Sequence, residues 1–171
     1  MYELTITYGA LDGFISGLMA DYDVVAPVAK DDRYTFDRLD DPSQISLYYD
    51  TTILPPIKWL YPNNEILLRF QLDDITKTEP VVESRKQALL FLHPCDINAI
   101  NIMDEILGEE PADVNYLARR RSTVIIGYEC LGPCREKPLC FDKGFHRVDR
   151  GYDLLFSDIG ERFYVHAASD T

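Results

Sequence analysis

Apolar residues recur along the N-terminal part of the chain with two different periods. One stretch has the spacing of a helical face, which predicts an amphipathic helix over about residues 8–20. Its apolar positions are Leu11, Phe14, Ile15, Leu18 and Met19. Extended runs then predict a strand at 24–28 and a return strand at 34–36, joined by a polar hairpin turn at 30–32. We expect a further short strand at 45–49.

The region from residue 54 to residue 86 carries weaker signals. Three prolines within 54–62 exclude a regular interior element, so we expect an extended, packed loop that includes Trp59. The stretch that begins at Asn63 or Asn64 suits a helix or a strand almost equally. A strand is also expected near 81–82.

Two continuous apolar runs, at 88–92 and 123–128, predict buried strands. Between them, Asp96 is a suitable N-cap for one helix, and a second helix is predicted over about 111–121. Strand, helix and strand in this order predict a crossover between parallel strands. A terminal hairpin is expected over 153–166.

Together these elements predict an α/β fold, with a mixed sheet whose parallel βαβ core (about 87–128) is flanked by hairpins and helices. The length of 171 residues suits a single α/β domain over 1–171. No apolar run is long enough to span a bilayer, and the N-terminus lacks the features of a signal peptide, which indicates a cytoplasmic protein. The net charge of −12 argues against nucleic acid as a partner.

All four cysteines lie at or beyond the ends of the two predicted core strands. Cys95 follows the first strand, and Cys130 follows the second. Because parallel strands end at the same edge of a sheet, the topology should bring these two thiols together. Cys134 and Cys140 follow in a polar loop with Arg135 and Lys137, which can fold back over that edge, and burial explains cysteines poorly in such a loop.

Four cysteines in a cytosolic protein favour metal or redox chemistry over disulfides. Four thiolates suit a cubane iron–sulfur cluster, and they also suit zinc. The spacing Cys-x3-Cys-x5-Cys is neither the usual bacterial ferredoxin pattern nor the usual zinc C-x2-C. Unligated thiols remain the alternative, since cysteine is often simply buried.

Several segments resemble the N-terminal domain of iron–sulfur β subunits of sulfhydrogenases and of the A-type subunits of the related anaerobic sulfite reductases. The resemblance covers nearly the whole chain in order. It is carried by Ala26-Pro27-Val28, Pro55-Pro56-Ile57-Lys58, Tyr61-Pro62-Asn63-Asn64-Glu65, Pro94-Cys95-Asp96, Ala118-Arg119-Arg120-Arg121, Cys130-Leu131-Gly132-Pro133, Cys140-Phe141 and Gly151-Tyr152-Asp153-Leu154.

The resemblance implies an electron-transfer subunit that acts with ferredoxin-like, flavin or hydrogenase/reductase subunits. Two departures matter. The family normally continues into a ferredoxin-like domain with two cysteine-rich motifs, whereas this sequence ends at Thr171 without them. A second cysteine usually follows Cys140-Phe141, but Asp142 stands there, and Cys134 supplies a replacement thiol.

Other polar residues have simpler interpretations. His93 is a candidate ligand or proton relay, although a hydrogen-bonded structural role is the favoured one. His146 is a weaker ligand candidate, and His166 is interpreted as structural or exposed. Solvated surface positions are expected for Lys58 and Arg119, with approach to an anionic cofactor as the alternative.

The leading hypothesis is a non-catalytic redox subunit with one [4Fe-4S] cluster on Cys95, Cys130, Cys134 and Cys140. A zinc-stabilised assembly module on the same cysteines is the second hypothesis. A thiol enzyme that uses Cys95, with its pKa lowered by the helix terminus, is the third.

Overall fold

The structure is a computed structural model that describes residues 2–134, 136 and 138–168. Within these residues the chain forms nine strands and four α-helices. The strands are β1 (Tyr2–Thr7), β2 (Asp23–Lys30), β3 (Arg33–Arg38), β4 (Leu68–Gln71), β5 (Asp74–Pro80), β6 (Gln87–Leu92), β7 (Thr123–Tyr128), β8 (Leu154–Asp158) and β9 (Arg162–Ala167). The helices are α1 (Tyr8–Asp21), α2 (Pro94–Gly108), α3 (Val114–Arg121) and α4 (Leu139–Asp142).

Seven of the strands form one mixed sheet in the order β1-β9-β8-β7-β6-β2-β3. The four central strands, β8, β7, β6 and β2, run parallel, and antiparallel pairs close both edges. Strands β4 and β5 form a separate two-stranded sheet. The predicted fold class, with its parallel core between residues 87 and 128, is confirmed.

Helices cover both faces of the large sheet, which explains why β6 and β7 contain nearly continuous apolar runs. On one face, Leu11 and Ile15 of α1 pack with Leu90 and Phe91 of β6. On the other face, α2 and α3 pack against the alternate residues of the same strands, such as Leu89. No helix in the described part of the chain is long and apolar enough to cross a membrane.

A β-bulge interrupts β6 immediately before its end. The pairing with β7 shifts between Leu90 and Leu92, and Phe91 has a positive φ of 58°. This backbone conformation is costly for a bulky side chain. The bulge places Leu90 and Phe91 on the same face of the sheet, so that Leu92 packs on the α2 side. It therefore sets the direction in which the chain leaves the strand towards Cys95.

Several sequence predictions need correction. Residues 45–49 form no strand, and only Ile45 makes an isolated bridge, to Val28. The stretch after Asn63 contains β4 and no helix, and the strand expected near 81–82 is instead β5, which ends at Pro80. Strand β1, at the sheet edge, was not predicted.

Candidate metal centre at the carboxyl edge of the parallel strands

The carboxyl ends of β6 and β7 lie side by side, with Leu92 opposite Gly127. Cys95 follows in the first turn of α2, and Cys130 lies two residues beyond the end of β7. An ideal Cβ at Gly127 would lie 2.7 Å from Ile97 Cδ1, so the glycine allows α2 to pack closely on the strand. The structure thus brings the two cysteines to the same edge, as the parallel topology predicts.

The other two cysteines come from the segment that follows β7. Cys134 is exposed, and Cys140 is half-buried in the short helix α4. Arg135 and Lys137, which the sequence places in the same loop, lie outside the described residues. All four thiols are free of disulfides.

Electrostatic coupling shows that the four thiols share one region. Burial, followed by the charge of Asp96 and then by the other three cysteines, raises the pKa of Cys95 to about 12. Burial and the charges of Cys134 and Cys140 raise the pKa of Cys130 to about 11. Both thiols are therefore protonated at neutral pH. This result contradicts the activated Cys95 nucleophile, because the burial penalty exceeds the benefit of the helix terminus.

The thiols nevertheless do not form a closed ligand shell around one ion. In the described part of the chain, no group of three or more His, Cys, Asp or Glu side chains is arranged to hold a metal ion. A tetrahedral zinc site requires four ligands within about 2.3 Å of one centre. The structure therefore gives zinc no support. A cubane cluster is larger than a single ion and binds its four thiolates at separate corners.

Asp96 is not the N-cap of its helix, although the sequence predicted that role. Helix α2 begins at Pro94 with His93 as its N-cap, and the N–H of Asp96 donates to the His93 carbonyl at 2.9 Å. Proline at the first helical position fixes this earlier start. Asp96 therefore lies within the first turn, where burial raises its pKa to about 7.

A stacked aromatic pair forms a wall beside the thiols. The rings of Tyr49 and His93 are parallel, with centroids 4.1 Å apart, and both residues are buried. Burial lowers the pKa of His93 to about 4, so its ring is neutral at physiological pH. The Tyr49 hydroxyl donates to the carbonyl of Phe91 at 2.7 Å, which satisfies the backbone at the bulge.

This wall lines a pocket of about 390 Å³ that also contains Tyr128, Cys130 and Cys134. Sequence reasoning missed Tyr49, because its segment is far from the cysteines along the chain and has the alternation of a strand. It did not assign Tyr128 to the site either, although its place at the end of β7 gave a usable signal.

The remaining candidate residues have defined surroundings. The His146 ring stacks on Phe141 at 4.2 Å, and its buried Nδ1 has no hydrogen-bond partner among the described residues. His166 lies in the last strand, and its Nδ1 is 3.1 Å from the Tyr152 hydroxyl. This contact agrees with a structural role.

Arg119 is not a solvated surface residue, as the sequence suggested, but is only 9% exposed. Its Nε donates to the Leu60 carbonyl at 2.6 Å, and its Nη1 lies 2.7 Å from Glu65 Oε2. Lys58 is half-buried, 5.6 Å from the centre of the Trp59 ring.

Comparison with known proteins supports the resemblance. The chain is 27% identical over 146 residues to sulfhydrogenase 2 subunit beta of Pyrococcus furiosus, a match that covers 85% of this chain and 42% of the relative. The chain thus spans about two fifths of the length of that relative. No protein-family model and no solved structure matches it. This similarity to a sulfhydrogenase β subunit confirms the resemblance found in the sequence.

Proposed function

We propose that this chain is an electron-transfer subunit, or part of one, of a hydrogenase-type complex, and that it holds one [4Fe-4S] cluster. The ligands are Cys95, Cys130, Cys134 and Cys140. The observation that carries the proposal is the placement of four free thiols near one sheet edge, close enough for the charges of the other three to raise the pKa of Cys95. The similarity to a sulfhydrogenase β subunit supports the same class of function.

The donor set suits an iron–sulfur cluster. Cysteine thiolates are its usual ligands, and a bound cluster would supply one-electron transfer. Cys95 lies in the first turn of α2, where the helix dipole favours an anionic group. The buried Tyr49–His93 pair excludes water from one side of this edge. Free thiols also suit a reducing compartment such as the cytoplasm.

Exposed apolar side chains surround the cysteine segment and favour docking of a partner subunit there. They are Leu131, Leu139, Phe141 and Phe145, with exposed fractions of 65%, 75%, 41% and 41%. A short path between redox centres requires such close apposition of subunits. We propose other redox subunits as the partners, and we propose that residues 1–171 form one folding unit.

The first experiment is to purify the protein anaerobically and to measure iron, acid-labile sulfide and zinc per chain. We expect about four iron and about four sulfide, the composition of a cubane cluster, together with brown colour. Stoichiometric zinc without sulfide would replace the redox function with an assembly role. Colourless, iron-free protein would refute the cluster.

A pair of variants separates ligation from folding. Cys134 is exposed, so Cys134→Ser removes a thiol without opening the core. We expect this variant to lose most of its iron and sulfide. Leu131→Ser, in the same loop and also exposed, is the matched control and should keep both. Full iron content in Cys134→Ser would remove Cys134 from the ligand set.

A further inference from the structure

A second pocket lies at the opposite end of the parallel strands. It has a volume of about 560 Å³, within the usual size range for small-molecule sites. Gln87, the first residue of β6, lines it, whereas Cys95 follows the end of the same strand. Six strand residues separate the two ends by about 20 Å. This pocket is therefore distinct from the cysteine edge.

Two buried hydrogen-bond donors at this pocket have no acceptor among the described residues. Arg119 is more than nine-tenths buried, and its Nη2 makes no hydrogen bond there, although Nε and Nη1 are both paired. The indole Nε1 of Trp59 is also buried and unpaired. Arginine and indole N–H groups can only donate. Unpaired buried donors are costly and uncommon, so we expect an acceptor from outside the chain to pair with both groups.

The charges around the pocket favour an anionic acceptor. Lys58 and Arg85 line it and have no carboxylate partner in the part of the chain that the structure describes. Of the lining acids, Glu65 is paired with Arg119, while Asp37 accepts the backbone N–H of Arg38.

Two further charges complete the lining. Arg38 contacts Asp23 at 3.3 Å, and Glu83 is an exposed carboxylate at the rim. The lining as a whole carries four cationic side chains, Arg38, Lys58, Arg85 and Arg119, against three carboxylates, Asp37, Glu65 and Glu83. This local excess is notable in a chain whose net charge is −12.

Two long cationic side chains lie over the Trp59 ring at this pocket. Lys58 Nζ and Arg38 Cζ each lie 5.6 Å from the centre of the Trp59 ring. Both side chains are partly exposed, and such flexible stems can move away from an apolar surface at low cost.

We propose that this pocket binds a small molecule that carries an oxyanion, phosphate or carboxylate, through Arg119, the Trp59 N–H, Lys58 and Arg85. The oxyanion accepts from the Arg119 Nη2 and Trp59 Nε1 donors, and the Lys58 and Arg85 side chains neutralise its charge. The proposal is independent of the cysteine edge.

Trp59 is the single tryptophan of the chain, so its fluorescence reports directly on the pocket. The full-length protein is titrated with inorganic phosphate and, separately, with malonate, at constant ionic strength maintained with chloride. We expect a saturable fluorescence change with at least one of them. The anion that saturates the signal identifies the ligand as a phosphate or a carboxylate.

Matched variants test whether the pocket itself binds the anion. Lys58→Gln/Arg85→Gln should raise the dissociation constant at least tenfold. Lys30→Gln/Arg33→Gln removes the same charge from an exposed hairpin and should not change it. Linear changes with both anions, or equal weakening in the two double variants, would overturn the proposal. Cys134→Ser should bind like the unmodified protein, so failure of the cluster proposal would leave this result intact.

Discussion

Replacement of Tyr49 by phenylalanine tests whether one hydroxyl holds the bulge that directs β6 towards Cys95. Phe91 is skipped in the pairing of β6 with β7, and its carbonyl accepts from the Tyr49 hydroxyl at 2.7 Å. Tyr49 is only 8% exposed, so water cannot readily replace the lost donor. A buried acceptor left without a partner costs about 1–3 kcal/mol.

We therefore expect Tyr49→Phe to lower the free energy of unfolding by about 2 kcal/mol, which corresponds to about 4–8 °C in Tm for a chain of this size. The phenyl ring retains the stacking on His93, so the loss isolates the hydrogen bond. Urea unfolding followed by circular dichroism measures the change. Metal content, measured in parallel, should fall if the bulge positions Cys95 for ligation.

Tyr48→Phe is the matched control. Its hydroxyl also donates to a protein acceptor, Asp158 Oδ2 at 2.7 Å, but the residue is 64% exposed. We expect a loss of no more than about 0.5 kcal/mol, as is usual for surface positions. Equal losses in the two variants would refute the role assigned to the buried Phe91 carbonyl.

Two further predictions concern stability away from the cysteines. Gly151→Ala should destabilise the protein more than Gly160→Ala. Both glycines have positive φ, but only a Cβ at residue 151 would meet a neighbour, the side-chain amide of Asn101. We expect the free energies of unfolding of the two variants, measured by thermal unfolding, to differ by about 1–3 kcal/mol; equal losses would show that the positive φ alone determines the cost. Hydrogen bonds from Tyr8, from the Gly160 N–H and from other hydroxyls hold the pKa of Asp158 below its ordinary value of 3.8. This contribution to stability is complete above about pH 4 and is lost as the pH falls through the lowered native pKa. Asp158→Asn should therefore destabilise the protein at pH 7 and have progressively less effect in acid. A loss of stability that does not depend on pH would contradict this reasoning.

The central strands were predictable because burial on both faces leaves an unambiguous local signature. Continuous apolar runs identified β6 and β7, and their order with the intervening helices then identified the parallel core. Residues 45–49 have a comparable local pattern but form a loop, since Tyr49 contacts His93 and Phe91 through its side chain rather than pairing its backbone with a strand. Such tertiary contacts override local propensity.

The candidate site was predictable only where topology determines it. The shared edge of Cys95 and Cys130 follows from the parallel strands, whereas the supporting wall depends on a residue more than 40 positions earlier in the chain. Arg119 illustrates the same limit. The local sequence does not indicate whether an arginine in the last turn of a helix is solvated or buried. Arg119 is held in a buried position by its contacts with Glu65 and the Leu60 carbonyl, which are distant in sequence.

The bulge at Phe91 makes the length of β6 as restrictive as its composition. Side chains of a strand alternate between faces, so each added or deleted residue reverses the facing of everything that follows. The extra residue at the bulge reverses it once, immediately before the chain enters α2. Deletion of Phe91 would restore regular alternation with Leu92 still on the α2 side, but it would remove an aromatic ring from the α1 side and the carbonyl that accepts from Tyr49. The number of residues in this run is therefore constrained together with their apolar character.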